Sequence, residues 1–253
     1  MSKWVLKGLH TGIRTTAYPD QEETAPGVSP GRPRSAHWTG GDDPQELLSR
    51  CPTGALGLEG QKIFVDDQRC IHCFRCLRGL RNPAEWEKGY EWAAVIGDGS
   101  PSSLGKAFGR SLHIRCVDGG ACGACLSEIE QLSKPHYNIH RLGFFITPTP
   151  RDADLLLVAG PVTDHLRLPL KKAYEAMPAP KRVLAVGACA LSGGVFGPSF
   201  ASGAGVKECI PADFGIPGCP PPPLAIIHGL LLSVSRKPLV SPRLSGSMVG
   251  RKR

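Results

Sequence analysis

The chain has 253 residues, 41% of them hydrophobic, and its 30 Lys and Arg against 22 Asp and Glu leave a net charge of +8. That length suits one large domain, or a small one joined to a medium one, and the apolar share allows a sizeable core. Ten cysteines, several in tight Cys-x-x-Cys pairs, exclude a small disulfide-stapled secreted scaffold and point to reduced thiols available for metal.

The opening stretch MSKWVLKGLHTG is basic and lacks the long apolar core of a signal peptide, so the chain is expected inside the cell. Lys3, Lys7 and Arg14 here, with Arg251, Lys252 and Arg253 at the other end, hold part of the excess charge. Such ends can meet nucleic acid, anionic lipid or an acidic partner. They are read as solvated termini, and no nucleic-acid partner is expected. Residues 18–44, rich in Pro, Gly and charge, read as extended or looped. PQELLSRCPTGAL follows as a helix-like turn, and KIFVDDQRCIHC as a short strand running into a cysteine loop. SPSSLGKAFGRS, 100–111, reads as a linker.

The cysteine loop RCIHCFRCLRGLRNP sets Cys70, Cys73 and Cys76 at a strict spacing of three. A bacterial ferredoxin run would add a fourth cysteine four residues on, followed by proline, but Leu80 and Arg81 stand there. Cys51-Pro52 has the form of that fourth cysteine, and in two-cluster ferredoxins it ligates the cluster of the other run. Cys51, Cys70, Cys73 and Cys76 therefore form one complete ligand set. The other set is wholly absent, since its places fall on Gly41, Pro44, Leu47 and Leu80. The pattern is that of a two-cluster module reduced to one [4Fe-4S] cluster. A four-cysteine zinc site, which ordinarily uses two Cys-x-x-Cys pairs, fits less well. His72, inside the loop, is read as no more than a hydrogen-bonding neighbour of sulfur.

From residue 112 the pattern changes. LHIRCVD, RLGFFIT, DADLLLVAG and KRVLAVGA are short apolar runs ending near Gly or a turn, as buried parallel strands do. TDHLRLPLKKAYEAM, 163–177, has helical periodicity with a basic outer face. This alternation predicts a doubly wound α/β sheet. Cys122 and Cys125 follow the first strand, Cys189 ends another, and Cys219 lies in a proline-rich turn before the helix PLAIIHGLLLSV. Its apolar run, 224–234, is about half of the ~20 residues a membrane span needs. Loops at the carboxyl ends of neighbouring parallel strands converge on one crevice, so these four thiols are expected to hold a second buried cluster. The adjacent glycines would let backbone approach sulfur. Cys116 is read as core packing, Cys209 is left without a role, and Glu128 is expected in the first turn of a helix, facing its dipole.

These residues are familiar. ACGACLSEIE, RDADLLLVAGPVT, VGACALSGGVFG and IPADFGIPGCPPPP, in that order, resemble the small 20-kDa-type subunit shared by complex I and membrane-bound [NiFe] hydrogenases of the formate hydrogenlyase kind. Cys122-Gly-Ala-Cys125 looks like the hydrogenase branch, since complex I proteins typically have two adjacent cysteines there. The N-terminal KWVLKGLHTGIRTTAYPD…GRP resembles the ferredoxin-like electron carrier of the same assemblies, whose leading segment lies on the membrane-facing side.

The resemblance implies a flavodoxin-like domain over 112–236, a ferredoxin-like α+β domain over 1–100, a linker over 101–111 and a basic tail over 237–253. It implies that Cys122, Cys125, Cys189 and Cys219 hold the [4Fe-4S] cluster nearest a catalytic large subunit. With the first site, that makes two [4Fe-4S] clusters. The chain is then expected to be a non-catalytic electron-transfer subunit of an oxidoreductase, partnered by a [NiFe] hydrogenase-like large subunit and other iron–sulfur and membrane subunits. It would be cytoplasmic and peripheral on the inner face of the cell membrane, which it meets only through the complex. The rival expectations are a complex I-like subunit passing electrons to quinone, and a basic zinc-stabilised binding module.

Overall fold

The structure is a computed structural model and describes residues 2–38, 43–78, 84–97, 105, 108 and 110–237. Most of the expected linker, the tail beyond Lys237, and positions Gly41, Leu80 and Arg81 lie outside these residues.

The elements run α1 (Lys3–Thr11), β1 (Arg32–Pro33), β2 (Ala36–His37), α2 (Pro44–Ser49), β3 (Leu56–Glu59), β4 (Lys62–Val65), β5 (Trp86–Glu87) and β6 (Ala94–Val95). They continue with β7 (Leu112–Asp118), α3 (Ala124–Gln131), β8 (Phe144–Ile146), β9 (Leu155–Ala159), α4 (Asp164–Ala176), β10 (Arg182–Val186), α5 (Ala188–Ser192), β11 (Phe214–Ile216) and α6 (Pro223–Ser233).

Six strands form the main sheet in the order β6-β11-β10-β9-β7-β8. All neighbours are parallel except β6, which runs antiparallel to β11 at the edge. Numbered by appearance, the five parallel strands lie 2-1-3-4-5, the doubly wound order of flavodoxin-like sheets. The expected α/β class is what the chain adopts.

Both faces of this sheet are covered, so β9 is apolar on every residue and β10 on all but its first, Arg182. Along β9, Leu155, Leu157 and Ala159 point into one core with Ile129 and the residues of α6. Leu156 and Val158 point into the other with Leu170 of α4. Helix α6 is buried on all sides, as an all-round apolar helix must be. Its far side is covered by residues that precede the sheet in the sequence: Tyr18, Tyr90, Trp92 and Ala93 share its core. Ala93 N–H donates to His228 Nδ1 of α6 at 3.3 Å. Among the described residues, no helix is long and apolar enough to cross a membrane.

The smaller part consists of the antiparallel sheet β2-β4-β3, the β1-β5 ribbon and α2. Asp43 caps α2, its side chain accepting from Gln45 N–H at 2.9 Å, and Pro44 opens the helix where no backbone donor is needed. Arg32 of β1 lies 3.4 Å from Asp67 and 3.3 Å from Glu87 of β5, which ties the ribbon to the turn before Cys70. Helix α1 has no buried residue.

Candidate metal centres

The first site is assembled from two approaches of the chain. Cys51 follows α2, and its thiol accepts from Ala55 N–H at 3.2 Å. Cys70 ends the turn after β4, where its N–H donates to Asp66 O at 3.1 Å. His72 and Phe74 then take left-handed φ of 51° and 62°, which winds the loop back on itself and carries Cys73 and Cys76 round. Cys51, Cys70, Cys73 and Cys76 line one small pocket, whose wall also includes His72 and Trp86. Burial pushes the Cys70 thiol up to about 12 and Cys76 up to about 11, and in each case two of the other thiols add to the rise. The four cysteines that the spacing groups together are thus grouped in space.

His72 is 6% exposed, and neither ring nitrogen has a hydrogen-bond partner among the described residues. Burial, then Arg32, brings its pKa down to about 4. An orphaned buried polar group of this kind costs about 1–3 kcal/mol unless something meets it.

The second site sits at the carboxyl ends of β7, β10 and β11. Asp118 closes β7 with an Asx turn, its Oδ1 accepting from Gly120 N–H at 2.9 Å and Ala121 N–H at 2.7 Å, and this delivers Cys122 and Cys125 at the start of α3. The β10 and β11 loops are stitched together by Gly187 N–H on Ile216 O and Ala188 N–H on Gly218 O, both 2.8 Å, which brings Cys189 beside Cys219. Burial pushes Cys125 up to about 12, followed by the charges of Cys219, Cys189 and Cys122. Cys189 is raised by burial and then by Cys219 and Cys122, and Cys219 by burial and then by Cys122 and Cys73.

Two glycines form a cradle here: a Cβ on Gly187 would stand 2.6 Å from Cys125 Sγ, and one on Gly194 would stand 2.6 Å from Cys189 Sγ. Val195 N–H also donates to the Cys189 thiol.

The donor set fits an iron–sulfur group. Each site offers four thiols, and burial raises Cys70 and Cys76 in the first and Cys125, Cys189 and Cys219 in the second; such thiols lose their protons where a strongly positive centre compensates their mutual repulsion. Among the described residues, no three His, Cys, Asp or Glu converge closely enough to hold a single metal ion.

The two sites adjoin. The charge of Cys73 in the first is the smallest of the three causes that raise the Cys219 thiol of the second, after burial and Cys122. Trp92 Nε1 donates to Pro217 O at 3.0 Å, and Ser192 Oγ donates to Gln68 O at 2.9 Å. Trp92 packs edge-on against His72, with ring centroids 5.2 Å apart. The sequence gives no sign of this seam, because Gln68, Trp92 and Ser192 belong to no metal-ligand pattern.

Of the other singled-out residues, Cys116 lies in β7 against the core, pushed up to about 11 by burial. Cys209 donates its thiol to Arg167 O at 3.5 Å, away from both sites. Glu128 departs from expectation: α3 begins at Ala124, so Glu128 falls beyond the first turn, raised by burial near Cys125.

With this geometry in place, comparison with known proteins gives a consistent answer. The family described as NADH ubiquinone oxidoreductase, 20 Kd subunit matches residues 122–232. An uncharacterised protein of Methanocaldococcus jannaschii is 48% identical over 122 residues, 48% of this chain and 82% of its own length. This chain belongs to the 20 kDa subunit family. The Pyrococcus furiosus member named probable membrane-bound hydrogenase subunit mbhJ is 42% identical over 53% of this chain and 81% of its own. Formate hydrogenlyase subunit 7 of Escherichia coli is 38% identical over 53% of this chain, which spans about half (52%) of that relative. Among solved structures, a chain of the membrane-bound sulfane sulfur reductase, an archaeal respiratory membrane complex, has a TM-score of 0.45 at 30% identity, covering 53% of this chain and 77% of its own. The 20 kDa-type resemblance carried by ACGACLSEIE and the segments after it is borne out. The matched residues 122–232 contain Cys122, Cys125, Cys189 and Cys219, while Cys51, Cys70, Cys73 and Cys76 precede them.

Proposed function

We propose that this chain is an electron-transfer subunit of a membrane-associated [NiFe] hydrogenase-type oxidoreductase complex, and that it carries two [4Fe-4S] clusters. Cys51, Cys70, Cys73 and Cys76 would hold one, and Cys122, Cys125, Cys189 and Cys219 the other. When bound, such clusters supply one-electron redox chemistry. The observation that carries the reading is the seam between the two four-cysteine sites, where Ser192 Oγ donates to Gln68 O at 2.9 Å and Trp92 Nε1 donates to Pro217 O at 3.0 Å.

What the chain contributes is placement and environment. The thiols fix position, and the N–H groups of Ala55 and Val195 stabilise negative sulfur. Membership of the 20 kDa subunit family supports an oxidoreductase complex, and the names of the hydrogenase and formate hydrogenlyase relatives support its hydrogenase type over quinone reduction. Catalysis on substrate is assigned to a partner large subunit, and membrane contact to the complex, on whose cytoplasmic side the chain would sit.

Anaerobic purification or reconstitution tests the reading. About eight irons and eight acid-labile sulfides per chain are expected, about four for each thiol set. Cys70→Ala and Cys219→Ala should each lose about half the iron and a different electron paramagnetic resonance (EPR) signal. Colourless, iron-free protein after faithful reconstitution overturns the proposal.

A further inference from the structure

Among the described residues, His72 is a buried donor without an acceptor. It lies between Cys70 and Cys73, lines the cavity that Cys51, Cys70, Cys73 and Cys76 share, and is over nine-tenths buried. Its ring is held edge-on by Trp92, with centroids 5.2 Å apart, and by Trp86 at 6.5 Å. Both indoles are fixed in turn: Trp92 Nε1 donates to Pro217 O at 3.0 Å and Trp86 Nε1 to Pro30 O at 2.9 Å. Aromatic walls offer the imidazole no strong acceptor, and among the described residues neither ring nitrogen has a partner. In either protonation state the ring bears at least one N–H.

We infer that His72 donates its ring N–H to a sulfur of the cluster held by Cys51, Cys70, Cys73 and Cys76, and thereby sets the reduction potential of that site. The inference rests on the reading of those four thiols as cluster ligands. Reduction places additional negative charge on the sulfur atoms, and a fixed donor stabilises that state more than the oxidised one, so the bond raises the potential. The backbone N–H of His72 already donates to the Cys70 thiol, and any side chain at position 72 retains that bond. What a substitution removes at the sulfur is the ring donor, along with the edge contacts to Trp92 and Trp86. His72 acts through sulfur and is a positioning residue.

The test is EPR-monitored redox titration of the whole chain. His72→Leu removes the donor, His72→Asn offers an N–H near the place of Nδ1, and His72→Gln offers one near the place of Nε2. In the leucine variant the reduced-to-oxidised ratio of this site at fixed ambient potential should fall about tenfold, which is about 59 mV for one electron. Either Asn or Gln should recover most of it, and the Cys122, Cys125, Cys189, Cys219 site should not move. Unchanged potentials in all three variants overturn the inference.

Should the leucine variant fail to bind iron, wild-type protein containing ring-15N-labelled histidine decides. Pulsed EPR of the reduced site should show a 15N coupling, and its absence in fully loaded protein overturns the inference. A wild type without iron at this site refutes instead the ligand reading beneath it.

Discussion

At Gly187 the backbone takes φ 88° and ψ 159°, a region essentially closed to side chains, and a Cβ there would meet Cys125 Sγ at 2.6 Å. Gly60, in the turn between β3 and β4, also has a positive φ of 61°, but a Cβ there would meet nothing within 4 Å. The pair separates backbone strain from sulfur contact. Gly60→Ala should cost about 1–2 kcal/mol and leave iron content unchanged. Gly187→Ala should cost about 1–3 kcal/mol from strain alone, and should also displace Cys125 and lower iron towards half. Iron assay with thermal denaturation of both variants checks this, and equal iron in both would show that Gly187 has no role at the sulfur. At this scale the two groups of four cysteines were legible from spacing and strand ends. The orphaned ring of His72 was not, because burial on both sides by Trp86 and Trp92 depends on chain segments distant from the loop.

Among the elements, β9 and β10 were legible as almost unbroken apolar runs and β7 as a run of apolar residues interrupted by His113 and Arg115, whereas β11 was not. It has only three residues, and its centre is Gly215, where a Cβ would meet Leu191 Cδ2 at 2.6 Å; the close approach of neighbours selects a residue with no strand signal. Helix α6 was legible as a helix, but its polar member His228 was not legible as a core residue. Burial holds the His228 pKa down at about 4, with Glu91 opposing and Lys237 reinforcing, while Nδ1 accepts from Ala93 N–H. The ordinary value is about 6.5. Between these values the unfolded chain binds a proton that the folded chain refuses, so stability rises with pH across the window. The contribution is complete above pH ~6.5 and is lost as pH falls towards ~4, at no more than about 1.4 kcal/mol per pH unit. His228→Gln keeps an acceptor for Ala93 without the titration. Urea unfolding at pH 7 and pH 4.5 should show the stability difference shrink by about 1–2 kcal/mol relative to the wild type. Parallel behaviour of the two proteins would mean that His228 does not govern the acid limb.

For the whole molecule, the change of pattern near residue 112 suggests a divisible chain, but the packing interleaves its two halves. Tyr18, Tyr90, Trp92, Ala93 and Val95 belong to the same core as α6 and the sheet. Strand β6 pairs with β11, and Thr16 N–H reaches His136 O at 2.8 Å. Composition could not reveal this, because residues 15–20 and 90–95 are short, mixed segments whose apolar members find partners more than 100 positions away. The consequence is that residues 112–236 alone would leave the outer side of α6 bare, an uncovered apolar face of the sort that drives association. That fragment should aggregate or unfold without a cooperative transition, whereas the full chain unfolds cooperatively. In the full chain, Trp92→Ala should cost about 3–5 kcal/mol, the ordinary range for emptying a buried aromatic site. It should also loosen the contact between the Cys73 and Cys219 loops, because the bond to Pro217 is lost with the indole. Trp92→Phe, which keeps a six-membered ring but loses that bond and the rest of the indole, should cost less than the alanine change, about 2 kcal/mol. Chemical denaturation of the three full-length proteins, beside the fragment, measures all of these. A fragment as stable as the full chain would show that the N-terminal half merely rests on the sheet.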